Sequence, residues 1–200
     1  MKYDYSITCN RVVRSEIREI LKLTRKPGII SFAGGLPDAS LFPIEDIIQI
    51  TEKLLREKGY LALQYGPTDG ETAFKEAMIE FGAAHDEKVL PDQLTVTSSS
   101  QQGLDLLSMI FIDQDAPVIM ELPSYLGAIQ AFRRCGARMH GVRMDFEGIL
   151  LDDLEATIDS IEKQGKKPRF IYVIPDFQNP SGITMTVPPR GRLIELAHSR

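Results

Sequence analysis

The chain has 200 residues, 43% hydrophobic and 26% charged, which is enough to bury a core and fits a globular protein. A formal net charge of −5 with no basic block argues against non-specific nucleic-acid binding. No run is apolar enough to span a bilayer, the first residues lack a signal-peptide core, and Cys9 and Cys135 stand in no metal-ligand spacing, so a reduced, cytoplasmic protein without a metal site is expected.

From the N-terminus, residues 11–23 carry Ile17, Ile20 and Leu21 at helical spacing and end at Lys26-Pro27-Gly28. Residues 29–33 read as a short strand running into Gly34-Gly35, a tight turn whose glycines also permit close backbone approach. Pro43 opens a helix with Glu45 and Asp46 in its first turn, expected to stop at Gly59. An irregular stretch, 63–67, precedes a helix from about 71 with Phe74, Ala77, Met78 and Phe81 on one side.

Residues 94–112, LTVTSSSQQGLDLLSMIFI, organise the rest of the chain. Residues 94–97 read as a buried strand, the serines as a turn, and Leu104, Leu107 and Phe111 as one face of a helix. A helix N-terminus offers unpaired N–H groups and partial positive charge, so Ser98 to Gln101 form either an anion-binding cup or an ordinary N-cap. Beyond it strands at 117–122, 138–142 and 169–174 alternate with helices at 125–135, 152–163 and 190–200. That alternation predicts a doubly wound, mostly parallel α/β sheet with ligands at the carboxyl ends of its strands. Two further loops fall at those ends. Tyr125 opens a helix, as a stacking plate or as a hydrophobic cap. Asn179 stands before Pro180, as a rigid amide or as a plain turn.

Five segments in order, PGIISFAGGLPDASLFP (27–43), LQYGPTDG (63–70), TSSSQQGLDL (97–106), ELPSYLGAIQAF (121–132) and PDFQNPSGIT (175–184), resemble the class I/II aminotransferases of fold type I, which use pyridoxal 5′-phosphate. The likeness is greatest to the branch of 2-aminoadipate and kynurenine aminotransferases. It implies an N-terminal arm and substrate segment over 1–42 and the first part of the cofactor-binding large domain over 43–200. It also implies that Ser100 and Gln101 hold the cofactor phosphate, Tyr125 stacks on the pyridine ring and Asn179 binds its phenolic oxygen. Tyr65 would reach the phosphate of the neighbouring subunit in a homodimer. Gly34 and Gly35 would meet the substrate carboxylate, and Arg18 its side chain. The substrates would be an amino acid and a 2-oxo acid, with neither nucleic acid nor membrane as partner. Ser99 departs from the family, which commonly has glycine there.

The resemblance corresponds to about the first half of such an enzyme. No lysine here sits in the Ser-x-Ser-Lys context of the family's catalytic lysine, which is expected beyond Arg200. Alone, the chain is therefore expected to bind cofactor reversibly and not to transaminate. A lyase or decarboxylase of the same fold, and an aminotransferase-like effector domain of a transcription regulator, are the alternative readings. A nicotinamide-binding domain would show GxGxxG, which TSSSQQG does not supply.

Overall fold

The computed structural model describes residues 3–12, 28–29, 37–85 and 87–200. Its helices are α1 (Ile7–Asn10), α2 (Ile44–Ala62), α3 (Thr72–Ala83), α4 (Ser99–Phe111), α5 (Leu126–Cys135), α6 (Leu151–Glu162) and α7 (Val187–Ser199). Its strands are β1 (Pro117–Leu122), β2 (Arg138–Asp145), β3 (Gly148–Ile149) and β4 (Ile171–Tyr172). The described residues fall into two compact units, drawn from Met1–Gly35 with Gln101–Arg200 and from Leu36–Ser100.

The first unit is built around β1. Pro117 to Glu121 are all buried, so the strand is covered on both faces, as expected of an interior parallel strand. Side chains alternate across the sheet. Val118 and Met120 therefore pack with Ala128, Ala131 and Phe132 of α5, while Ile119 packs with Leu154, Ile158 and Ile161 of α6 and with Met185. Phe132 meets Phe170 and Tyr172 edge-on, with ring centroids 5.3 and 5.4 Å apart. The strand order is β3-β2-β1-β4. β1 runs parallel to both β2 and β4, and β3 is a two-residue antiparallel partner of β2, so this partial sheet is mixed, with helices on both sides. Helix α5 ends where expected, at Gly136, whose φ of 89° is the left-handed C-cap conformation that a side chain disfavours.

Several expectations need correction. Residues 94–97 form no strand; of their backbone, Val96 N bonds Asp69 O, and among the described residues no ladder partner flanks them. The strand expected over 169–174 is regular only at Ile171–Tyr172. Helix α2 does not stop at Gly59 but runs to Ala62 across a kink at Lys58 (φ −135°, ψ 20°), and Leu63 N still bonds Gly59 O. A helical glycine costs only about 1 kcal/mol, which the continuing bonds offset. On α3 the apolar side is open, with Phe74, Met78 and Phe81 exposed, while Lys75 is 8% exposed and bonds Asp69 at 2.6 Å. On α4 the inward row is Leu104, Ser108 and then Ile112, with Leu107 and Phe111 half-exposed. Ser108 satisfies its hydroxyl on Leu104 O at 2.6 Å, which lets a small polar residue occupy the interior row. Residues 13–27 and 30–36, with Arg18, Gly34, Gly35 and most of the first helix and strand read from the sequence, lie outside the described residues. No described helix is long and apolar enough to cross a membrane.

Burial sets the expected response to core substitution. Ile158, 2% exposed against β1, should cost about 1 kcal/mol as Ile158→Val and about 2–5 kcal/mol as Ile158→Ala. Ile47→Ala, on the exposed side of α2, should stay within about 0.5 kcal/mol, all three read from urea unfolding.

Candidate functional site

Three loops carry the residues singled out in the sequence. Gln101, in the first turn of α4, sends Nε2 toward Gly127 O at 3.4 Å. Tyr125, the N-cap residue of α5, is half-buried and lies against the same glycine. A Cβ on Gly127 would come within 2.6 Å of both Gln101 Oε1 and Tyr125 Cζ, so only glycine lets the ring and the amide lie this close to α5. Gln101 and Tyr125 therefore meet at the carboxyl end of β1.

Asn179 reaches the same end through its neighbour. Gln178, 1% exposed, donates Nε2 to Pro123 O at 2.8 Å and to Glu121 Oε2 at 3.2 Å. Its Oε1 accepts from Ser181 N at 2.9 Å and Ser181 Oγ at 2.7 Å. Asn179 itself is exposed, and among the described residues its side-chain amide has no hydrogen-bond partner. Outside the loop, Arg190 bonds Asp176 through two nitrogens at 2.7 and 3.2 Å and Met185 O at 2.9 Å. The loop is thus held from within by an amide and from without by a guanidinium, which also keeps the Asp176 carboxyl below its ordinary range.

Ser100 follows Ser99 in the first turn of α4, where the first N–H groups of the helix have no intrahelical acceptor. No acidic residue occupies that turn, which suits an anion. Ser99 has φ +71°, the left-handed region where glycine is at ease, as its place against the resemblance suggested. Tyr65 falls, with Ser99 and Ser100, in the unit Leu36–Ser100, and its ring is fully exposed.

Two residues of this site had no role in the sequence reading. Glu121 is 1% exposed, and its Oε2 accepts from Ile174 N at 3.1 Å as well as from Gln178. Its signal was a charged residue inside the apolar run 117–122; Gln178 was visible only as the residue before Asn-Pro. Burial, opposed by those two donors, pushes the Glu121 carboxyl above its ordinary range. Burial, then the charges of Glu121 and Tyr125, push the neighbouring Tyr172 phenol up to about 12. Two buried oxygens, Glu121 Oε1 and Ser124 Oγ, have no partner among the described residues.

Two measurements check this description. A carboxyl raised in the folded state keeps its proton where the unfolded chain has lost it, so its contribution to stability is full below the unfolded value near 4.5 and is lost as pH rises through the folded value. The unfolding free energy of the wild type minus that of Glu121→Gln should therefore fall as pH rises from about 4 toward neutrality; a difference flat with pH would contradict the burial assigned to Glu121. Ser99→Gly should stabilise the chain by about 0.5–1 kcal/mol, since relieving strain of roughly 1–2 kcal/mol outweighs the extra chain entropy that glycine loses.

Comparison with known proteins bears on family and fold. Residues 27–199 match the family model described as aminotransferase class I and II. The chain is 45% identical over 190 residues to the 2-aminoadipate transaminase of Thermus thermophilus, covering 95% of this chain and 45% of that protein. It superposes on Pyrococcus horikoshii kynurenine aminotransferase, solved in complex with PMP, with a TM-score of 0.90 and 37% identity over 98% of this chain and 48% of that one. The alpha-aminoadipate aminotransferase of Thermus thermophilus, complexed with N-(5′-phosphopyridoxyl)-L-leucine, gives a TM-score of 0.83 and 41% identity over 98% and 46%. The chain spans about half the length of these relatives. On the family match over most of its length, the chain belongs to the class I and II aminotransferases.

Proposed function

We propose that these residues are the cofactor-holding portion of an aminotransferase that moves an amino group between an amino acid and a 2-oxo acid through pyridoxal 5′-phosphate. The observation that carries the reading is the meeting of Gln101 and Tyr125 at Gly127, with Gln178 tying the loop of the uncommitted Asn179 amide to Pro123 at the end of β1. The fit to a flat phosphorylated ring is chemical. A helix start without acidic residues suits a phosphate, a half-buried aromatic ring suits a heteroaromatic face, and an amide with spare donors suits a phenolate oxygen. The two unpartnered buried oxygens beside them can answer further polar groups. When bound, the cofactor supplies the electron sink for the amino transfer.

In this reading Ser100 and Gln101 hold the phosphate, Tyr125 covers one ring face and keeps water from it, and Asn179 donates to the phenolic oxygen. Tyr65, with its exposed ring, reaches the phosphate of a second copy in a cytoplasmic homodimer. Gly34, Gly35 and Arg18, within the arm read over 1–42, meet the substrate. Residues 43–200 belong to the large domain. Amino transfer is favoured over a lyase reaction by the relatives, which are named for transamination. The 200 residues alone bind cofactor reversibly and turn nothing over, since no lysine here has the family's catalytic context.

Pyridoxamine 5′-phosphate tests the site cleanly because it has no aldehyde to react with surface lysines. By equilibrium dialysis the chain should bind it with saturation, and Tyr125→Ala and Asn179→Ala should each weaken binding about 5- to 10-fold, the worth of one stacked ring or one hydrogen bond. Equal binding by the wild type and both variants would overturn the assignment. Stable covalent capture of pyridoxal phosphate with turnover of an amino donor would overturn the statement that the chain alone is inactive.

A further inference from the structure

Gln178 occupies a place in this site that no role yet assigned to the chain explains. Its amide has two donors and two acceptor lone pairs, and all four are used: on Glu121 Oε2, on Pro123 O, and twice on Ser181. The backbone is committed as well, with Gln178 N donating to Ile183 O at 2.8 Å and Gln178 O accepting from Gly182 N. Glu121 fixes the other end of this arrangement. The same Oε2 that takes the Gln178 donor takes Ile174 N, joining the end of β1 to the segment that follows β4. Between them, two buried side chains tie the loop 123–125 to the loop 175–183.

The consequence falls on the residues next in sequence. Tyr125 is two positions from the carbonyl that Gln178 holds, and Asn179 is one position from Gln178 itself. Asn179 is exposed and has no side-chain partner among the described residues, so nothing local fixes its direction. Two residues before it, Phe177 has φ +49° and a ring 81% exposed, a conformation that costs energy and that its own side chain does not repay through packing. The bonds of Gln178 hold that backbone on one side, and Phe177 N donating to Thr184 Oγ1 at 3.1 Å and Arg190 on Asp176 hold it on the other. In a buried, low-dielectric setting such bonds are costly to lose, because each broken partner is stranded away from water.

We propose that Gln178, anchored on Glu121, is a positioning residue that sets the Asn179 amide and the Tyr125 loop in one fixed relation, so that both address the same ligand ring. Gln178 does not touch the ligand; it acts through its two neighbours. The inference rests on the cofactor reading above.

The chain offers a clean assay, because its only asparagines are Asn10 and Asn179. In a sample labelled with 15N-asparagine, pyridoxamine 5′-phosphate should shift the Asn179 side-chain amide and leave that of Asn10 in place. In Gln178→Ala the shift should shrink by more than half, while circular dichroism and the urea midpoint report whether the fold is kept. Dialysis closes a double-mutant cycle. Gln178→Ala and Asn179→Ala should each lose about 5- to 10-fold in affinity, and the double variant less than the product of the two, since part of the Gln178 effect passes through Asn179. If Gln178→Ala does not fold, Ser181→Ala removes one of the four bonds of the Gln178 amide, with the longer one from Ile183 N to the same hydroxyl, and should give a smaller loss with the same non-additivity. Losses that multiply in the double variant, or an Asn179 shift unchanged by Gln178→Ala, would overturn the positioning role alone. An Asn179 amide that never responds to the ligand, with Asn179→Ala binding as the wild type does, would sink the cofactor reading and this inference with it.

Discussion

A carboxylate taken out of water at the end of a strand must be met by donors, and that demand shapes the functional end of this molecule. β1 is buried on both faces, and its alternation leaves Glu121 with no route to solvent. The donors that answer it, Ile174 N and the Gln178 amide, come from beyond β4, so this buried acid draws a distant loop onto the strand end. An apolar residue at 121 would pack as well and cost less, but it would leave that loop without its reason to be there.

Backbone strain falls on the Asn179 loop as well. Among the described residues three non-glycine positions have positive φ: Ser99, Asp115 and Phe177. Two of them border the helix start of α4 and the Asn179 loop. Strained residues persist where their surroundings over-determine them, and the bonds around Gln178 and Arg190 provide that excess on the loop side.

Where the governing physics is local, the sequence was legible. Alternation of strand and helix, the position of β1, the Gly136 cap and the inward row of α6 all appear as read, and Tyr125 follows the end of β1, whereas the strand expected before Gln101 is absent. What was misread depends on partners distant in the chain. A strand exists only when another pairs with it, and 94–97 has the composition without the neighbour. On α3 Lys75 is buried and paired with Asp69 while Phe74 and Phe81 are open, an arrangement that the periodicity of the helix does not encode. Glu121 and Gln178 escaped notice because polar residues default to the surface in any reading of pattern, and only coordinates show which ones have been enclosed.

An asparagine side chain exposed to water is chemically impermanent. The backbone nitrogen of the following residue attacks the amide, and the product after ring opening is a carboxylate. Asn179 is exposed, yet the residue after it is Pro180, whose nitrogen carries no hydrogen and cannot close that ring. In the cofactor role proposed for Asn179, an amide that ages into an anion would turn a donor into a repellent for a phenolate. Proline at 180 thus protects the identity of residue 179 over the lifetime of the protein, a safeguard written in covalent chemistry and independent of how the loop is folded.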